Sequence, residues 1–228
     1  MVLKTIGLSA VIYILLLTVL VRVSQDDEKK KRHYVPVKML CSGAFLLFMV
    51  LSFFLFPMNG KGRIILLIAF VFCFLGDLFM GLYNIKRKKR FMIAGVIAFL
   101  YAHVSFLVFL FHADMRLTVL NILIPAAAIV ALVMFSKKFH LHFGRLLVPA
   151  CVYSFFVTSF MVKSIECVKI TMLWPVAGIL FFLSDFSLIF LYFFYFKEKK
   201  HEKLVHAFNL LTYYVSIFLI YSVAILFT

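Results

Sequence analysis

Acidic residues are scarce in this chain: nine Asp and Glu stand against 24 Lys and Arg, a formal net charge of +15 over 228 residues. Charged residues of both signs make up only 14%, where a soluble domain carries roughly a quarter. Long polar stretches are missing, so no connector is long enough to be a soluble domain. Cys41, Cys73, Cys151 and Cys167 form no CxxC pair, which leaves neither a disulfide framework nor a zinc knuckle supported. No GxSxG elbow, P-loop or HExxH helix is present, which removes the enzyme classes built on them. Near the polar positions discussed below stand only two histidines, His103 and His206, fewer than the three protein ligands usual for catalytic zinc; neither a metal nor a cofactor is expected. No small-residue cleavage site follows the first apolar run, so that run reads as a retained helix. In a soluble protein such a basic balance would point to nucleic acid. Here the cations fall in short connectors between apolar runs, membrane topology accounts for them, and no nucleic-acid partner is expected.

What is present is apolar. Hydrophobic residues make up 65% of the chain and the mean hydropathy is +1.11. Runs long enough to cross a bilayer recur along the whole length. They predict eight spans, at about 3–23, 36–56, 64–83, 91–111, 117–135, 145–163, 170–195 and 205–227. The expected fold is all-α, a polytopic membrane helix bundle with eight transmembrane helices, and one membrane domain over 1–228. The odd connectors are the basic ones: Arg22 with Lys29–Arg32, Lys86–Arg90, Lys137, Lys138 and Arg145, then Lys197–Lys203. The positive-inside rule places these in the cytoplasm and both termini on the other side. That suits a multi-pass protein of a bacterial inner membrane or a eukaryotic endomembrane. Phe74-Leu75-Gly76-Asp77 also recurs as Phe182-Leu183-Ser184-Asp185 four spans later, an echo in keeping with a parallel four-plus-four repeat.

Ionisable groups inside spans are costly and mark function. Seven of the nine acidic residues read as loop residues; Asp77 and Asp185 alone lie deep in apolar helices, and His103 is the one comparably deep histidine. At about 1.5 Å per residue, Asp77 lies roughly 13 Å before Lys86, Asp185 about 18 Å before Lys197, His103 about 20 Å after Arg90 and Tyr213 about 15 Å after Lys203. These depths place the groups in one slab between the midplane and the cytoplasmic face. Helical spacing aligns Cys73, Gly76, Asp77 and Met80 on one face, Phe99, His103 and Phe106 on another, and Asn209, Thr212, Tyr213 and Ser216 on a third. Tyr153 and Tyr13 fall at similar depth. A polar cavity open to the cytoplasm is the expectation. Two carboxyls in a low-dielectric site titrate apart, which suits general acid catalysis through an oxocarbenium-like ion.

At these residues the sequence resembles the lysoplasmalogenase (YhhN-like) membrane family. The resemblance is carried by Leu75-Gly76-Asp77-Leu78-Phe79-Met80, by Phe99 with His103, by Gly178 through Asp185, and by Thr212-Tyr213-Tyr214-Val215. Ile217, Phe106, Leu191 with Tyr192, and Pro36-Val37-Lys38 depart from its usual residues. The resemblance implies an integral membrane hydrolase that cleaves the vinyl ether of a lysoplasmalogen, a lysophospholipid substrate drawn from membrane lipid, to a fatty aldehyde and glycerophospho-choline or -ethanolamine. Asp77 and Asp185 would be catalytic. His103, Tyr213, Tyr214, Asn209, Tyr153 and Tyr13 would line the site. Lys38 would either meet the substrate phosphate or snorkel at a helix end. The rival expectation is a proton-coupled transporter or lipid-binding protein using the same cavity.

The charge asymmetry yields a test of topology. In a chain stripped of its native cysteines, a cysteine placed at either terminus is expected to react with an impermeant maleimide added to intact cells. One placed in the 86–90 connector is expected to stay protected, and its labelling from outside would overturn the assignment.

Overall fold

In hydrocarbon every backbone N–H and C=O needs a partner within its own segment, so long apolar runs fold as helices. The computed structural model describes residues 2–56, 60–141 and 143–226. Among the described residues are eight long helices and no strand. They are α1 (Val2–Gln25), α2 (Asp27–Leu55), α3 (Gly60–Lys86), α4 (Lys89–Ala113), α5 (Leu120–Lys138), α6 (Leu147–Glu166), α7 (Leu173–Phe193) and α8 (Lys199–Leu226). All eight are long and apolar enough to cross a membrane, and the chain is an all-α, eight-span membrane protein. Their cores coincide with the expected spans. Residues 57–59, 142 and 227 of the expected connectors and last span lie outside the described residues.

The first connector corrects the sequence reading. Only Asp26 separates α1 from α2, and its carboxylate accepts the Glu28 backbone N–H at 3.1 Å. Asp27 and Glu28 then stand in the first turn of α2, where the helix dipole favours anions. Lys29–Arg32 therefore lie inside the helix and not in a loop.

Burial follows the helical period. In α1 the buried residues are Ser9, Tyr13, Leu17, Leu20, Val23 and Ser24, a single stripe. Leu8, Val11, Ile12, Ile14, Leu15 and Val19 point outward, where lipid is as good a solvent as a protein core.

The chain forms two compact units, Met1–Phe109 with Ile217–Thr228, and Leu110–Ser216. In the first, α2 packs against both α1 and α3. Phe45, Phe70 and Phe106 meet edge to face in its core. Helices α3 and α4 approach through two glycines: a Cβ on Gly76 would meet the Phe99 ring at 2.8 Å, and one on Gly95 the Met80 sulfur at 2.7 Å. Small residues are what allow such contacts between membrane helices. Arg63 is buried, donates to the carbonyls of Phe53 and Phe56, and lies 5.2 Å from the Phe53 ring centroid. It thus satisfies the last turn of α2, whose carbonyls have no helical partner.

In the second unit α6 packs against both α5 and α7. Lys163 on α6 is fully buried. Its ammonium donates to the Arg116 carbonyl at 2.6 Å, reaches the carboxylates of Glu166 and Asp114 at 3.3 and 3.4 Å, and lies 4.7 Å from the Phe111 ring centroid. Glu166 also accepts from the Thr118 hydroxyl and the Asn121 amide. Arg116 grips Asp114 through two N–H donors, at 2.8 and 3.1 Å. That grip holds the Asp114 carboxyl well below its usual range and raises the Arg116 guanidinium. A depressed carboxylate contributes stability above its ordinary value of 3.8, and the contribution is lost as pH falls through the folded value. Lys163, inside α6, and Arg116, in the α4–α5 connector, thus fasten that connector to the end of α6.

The tightest approach in this unit is between α6 and α7. A Cβ on Gly178 would lie 1.7 Å from the Ser164 hydroxyl, 2.8 Å from the Ser164 Cβ and 3.4 Å from the Met161 Cα. The Ser164 hydroxyl is itself fixed on the Met161 carbonyl at 2.7 Å. Gly178→Ala is therefore expected to destabilise the detergent-solubilised protein by about 1–3 kcal/mol, the usual cost of overpacking. Adding Ser164→Gly removes both close atoms and is expected to recover most of the loss in a thermal-unfolding assay. A Gly178→Ala chain as stable as the parent would contradict the packing described.

Candidate active site

Asp77 stands on the face of α3 that the helical spacing assigns to it. Cys73, Asp77 and Met80 are all buried, Asp77 to 1% exposure. A lone carboxylate at that depth is expensive, and α2 supplies its partners. The Lys38 ammonium lies 2.9 Å from Asp77 Oδ1, and the Ser42 hydroxyl donates to Oδ2 at 2.6 Å. Lys38 and Ser42 are one turn apart, on the buried face that also carries Cys41, Phe45 and Met49. Asp77 thus has an ion-pair partner at one carboxylate oxygen and a hydrogen-bond donor at the other.

Lys38 does not snorkel. Helix α2 begins at Asp27, so Lys38 lies about three turns inside it, and Lys38 is itself buried. With an anion within reach, its ammonium gains more from Asp77 than from a climb to the interface. The same unit holds Tyr13, buried and stacked on Phe218 at 5.5 Å, within electrostatic reach of Asp77. His103 is fully buried on α4, on the face it shares with Phe99 and Phe106; Phe99 is the ring packed against Gly76, next to Asp77.

Asp185 belongs to the second unit, on α7. It is buried, and the Tyr153 hydroxyl of α6 donates to its Oδ2 at 3.0 Å. Its neighbour Ser184 ties α7 to α8. The Asn209 amide donates to the Ser184 carbonyl and hydroxyl, both at 2.9 Å, and the Ser184 hydroxyl donates back to the Asn209 carbonyl at 3.3 Å. One helical turn earlier the Phe181 ring meets Tyr213 edge to face at 5.4 Å, and Tyr213 meets Tyr214 at 4.8 Å. Lower on the same two helices, the Ser216 hydroxyl donates to the Ala177 carbonyl at 2.7 Å. Asn209 is therefore engaged in holding helices together, and Tyr213 and Tyr214 are held by aromatic neighbours.

The structure gathers the sequence candidates into two groups, Asp77 with Lys38 and Tyr13 in the first unit, and Asp185 with Tyr153, Asn209, Tyr213 and Tyr214 in the second. Ser42 escaped the sequence reading. Its only signal is its place one turn beyond Lys38 on a helix that faces α3. Ser184 escaped as well, although it stands immediately before Asp185. Among the described residues no group of three His, Cys, Asp or Glu is placed to hold a metal ion.

The chain was compared with known families, curated proteins and solved structures. The YhhN family matches residues 33–224. That range includes Lys38, Asp77, His103, Tyr153, Asp185 and the tyrosine pair, and leaves out Tyr13. No curated protein and no solved structure matches. With a family match that runs from the early turns of α2 to the last turn of α8, the chain belongs to the YhhN family.

Proposed function

We propose that this chain is a lysoplasmalogenase-type hydrolase of the membrane. The observation that carries the reading is that Asp77 and Asp185, the two deep carboxylates of the family-matched region, are each buried and each accept a side-chain donor from the helix before their own. Buried carboxylates in apolar helices cost stability and are retained for what they do.

The substrate class is a lysophospholipid whose chain is joined through a vinyl ether. A proton is added to the β-carbon of the vinyl ether, which leaves an oxocarbenium ion at the α-carbon. Water adds there and loses a proton, and the hemiacetal collapses to a fatty aldehyde and a glycerophospho-alcohol. The net consumption is one water. We assign the fixed anion opposite the cation to Asp77, because the Lys38 ammonium pairs with it and the Ser42 hydroxyl donates to it. We assign the proton donor to Asp185, one of whose oxygens accepts from Tyr153. A fixed anion in a dry site stabilises a developing cation without reorganisation, and a positioned acid contributes about 10²–10⁴ in rate. Lys38 in this reading is a positioning residue for Asp77. His103 and the tyrosine pair shape the surroundings.

The experiment is aldehyde release from a lysoplasmalogen by the purified chain in detergent, where no gradient exists. Turnover is expected, whereas a proton-coupled transporter would give none. Asp77→Asn and Asp185→Asn are each expected to lower turnover by about 10²–10⁴ while the protein still inserts, since Asn is close in shape and cheaper to bury. Because the two act as a unit, the double variant is expected to be little worse than either single one. A single variant that keeps more than about a tenth of the parental rate would sink the proposal, as it exceeds what loss of an essential acid allows.

A further inference from the structure

The connector between α3 and α4 is the most concentrated charge in the protein. Lys86, Arg87, Lys88, Lys89 and Arg90 are consecutive and all exposed. No acidic residue occurs between Asp77 and Asp114. Among the described residues none of the five has a carboxylate partner; the ion pairs lie elsewhere. Two other basic connectors carry acids, and the third, between α5 and α6, has no acid but only Lys137 and Lys138 together, with Arg145 apart. The α1–α2 junction carries Asp26, Asp27 and Glu28, and at the α7–α8 junction Glu198 lies 3.8 Å from His201, with Glu202 close by in sequence.

Helix stability does not account for the cluster. Lys89 and Arg90 occupy the first turn of α4, the end where the helix dipole disfavours cations. Arg87 has φ 52°, a left-handed conformation in which glycine would be cheaper. The chain nevertheless keeps an arginine there, with its N–H on the Tyr83 carbonyl at 2.8 Å and its guanidinium 5.9 Å from the Tyr83 ring centroid. Lys86 and Arg90 lie 5.6 and 5.1 Å from the Phe91 ring centroid. Two aromatic rings thus fan the cations out at the ends of two spans, at the level where lipid headgroups lie. A topology signal requires an excess of cations; it does not require five consecutive unopposed ones, three of them set against two rings.

We propose that this turn binds the headgroup phosphate of an anionic phospholipid in the adjoining leaflet. A headgroup with a net negative charge supplies the missing counter-charge. A zwitterionic headgroup brings its own ammonium and is disfavoured. Clusters of four to eight cations beside a span have this property in general.

The test uses the full-length protein in detergent, incubated with equal amounts of phosphatidylglycerol and phosphatidylcholine, with retained lipid counted by native mass spectrometry. The parent is expected to retain phosphatidylglycerol about fivefold or more over phosphatidylcholine, and to lose the preference near 1 M salt, where the screening length falls to about 3 Å. Lys86→Gln/Lys88→Gln/Lys89→Gln is expected to reduce the preference about tenfold or more, or to abolish it. Lys137→Gln/Lys138→Gln, which removes two charges at another basic connector against three here, is expected to leave it in place. If the triple variant does not insert, Lys88→Gln alone serves, with a drop of up to about fivefold. A variant of the 86–90 turn that keeps the parental ratio would overturn the proposal. An equal loss in the Lys137/Lys138 variant would also overturn it, because the preference would then follow overall charge.

Discussion

A carboxylate cannot sit alone in a span, and the ion pair between Asp77 and Lys38 is how this chain satisfies that constraint. Together with the Ser42 hydroxyl it sets the register of α2 against α3, because both donors must stand one turn apart on the face that meets Asp77. The remaining features of that face follow. Cys41, Phe45 and Met49 continue the buried stripe of α2, and Cys73 and Met80 that of α3. A buried pair is weak as a device for stability alone, since apolar residues of similar volume often serve as well or better.

The second unit meets the same constraint with different chemistry. Asp185 has a phenol donor in Tyr153, and the adjacent Ser184 exchanges hydrogen bonds with Asn209. The Lys163 network closes on itself: two cations, two carboxylates, an amide, a hydroxyl and a carbonyl are mutually engaged at the end of α6. The close contact of Gly76 with Phe99 stands beside Asp77, and that of Gly178 fixes α7 against α6 two turns before Asp185. The contrast matters for function. Lys163 holds a connector in place, while Lys38 holds a deep carboxylate.

The eight helices were legible because an apolar run of span length has few other fates in lipid, and the stripe in α1 is visible as period alone. Asp77 and Asp185 were legible because acids are so rare here that depth singles them out. The partners were not. Ser42 is a small polar residue in an apolar run, and only the packing of α2 on α3 reveals that it donates to Asp77. Lys38 was misread as a helix-end lysine because the charged run before it looks like a loop; the cap by Asp26 and the anions in the first turn extend the helix backwards through that run. Lys163 is a related case: it is fully buried within α6, and its partners come from a connector folded against it, a tertiary fact with no local pattern.

The claim on which the rest depends is that Asp77 is held as a buried anion by Lys38. It is tested most directly by a double-mutant cycle on thermal stability in detergent, with Lys38→Met, Asp77→Asn and the two combined. The account predicts that each single change destabilises by about 3–5 kcal/mol, because it breaks a buried pair, and that the combined change recovers most of the loss. Single losses that simply add in the double variant, or single variants as stable as the parent, would contradict it.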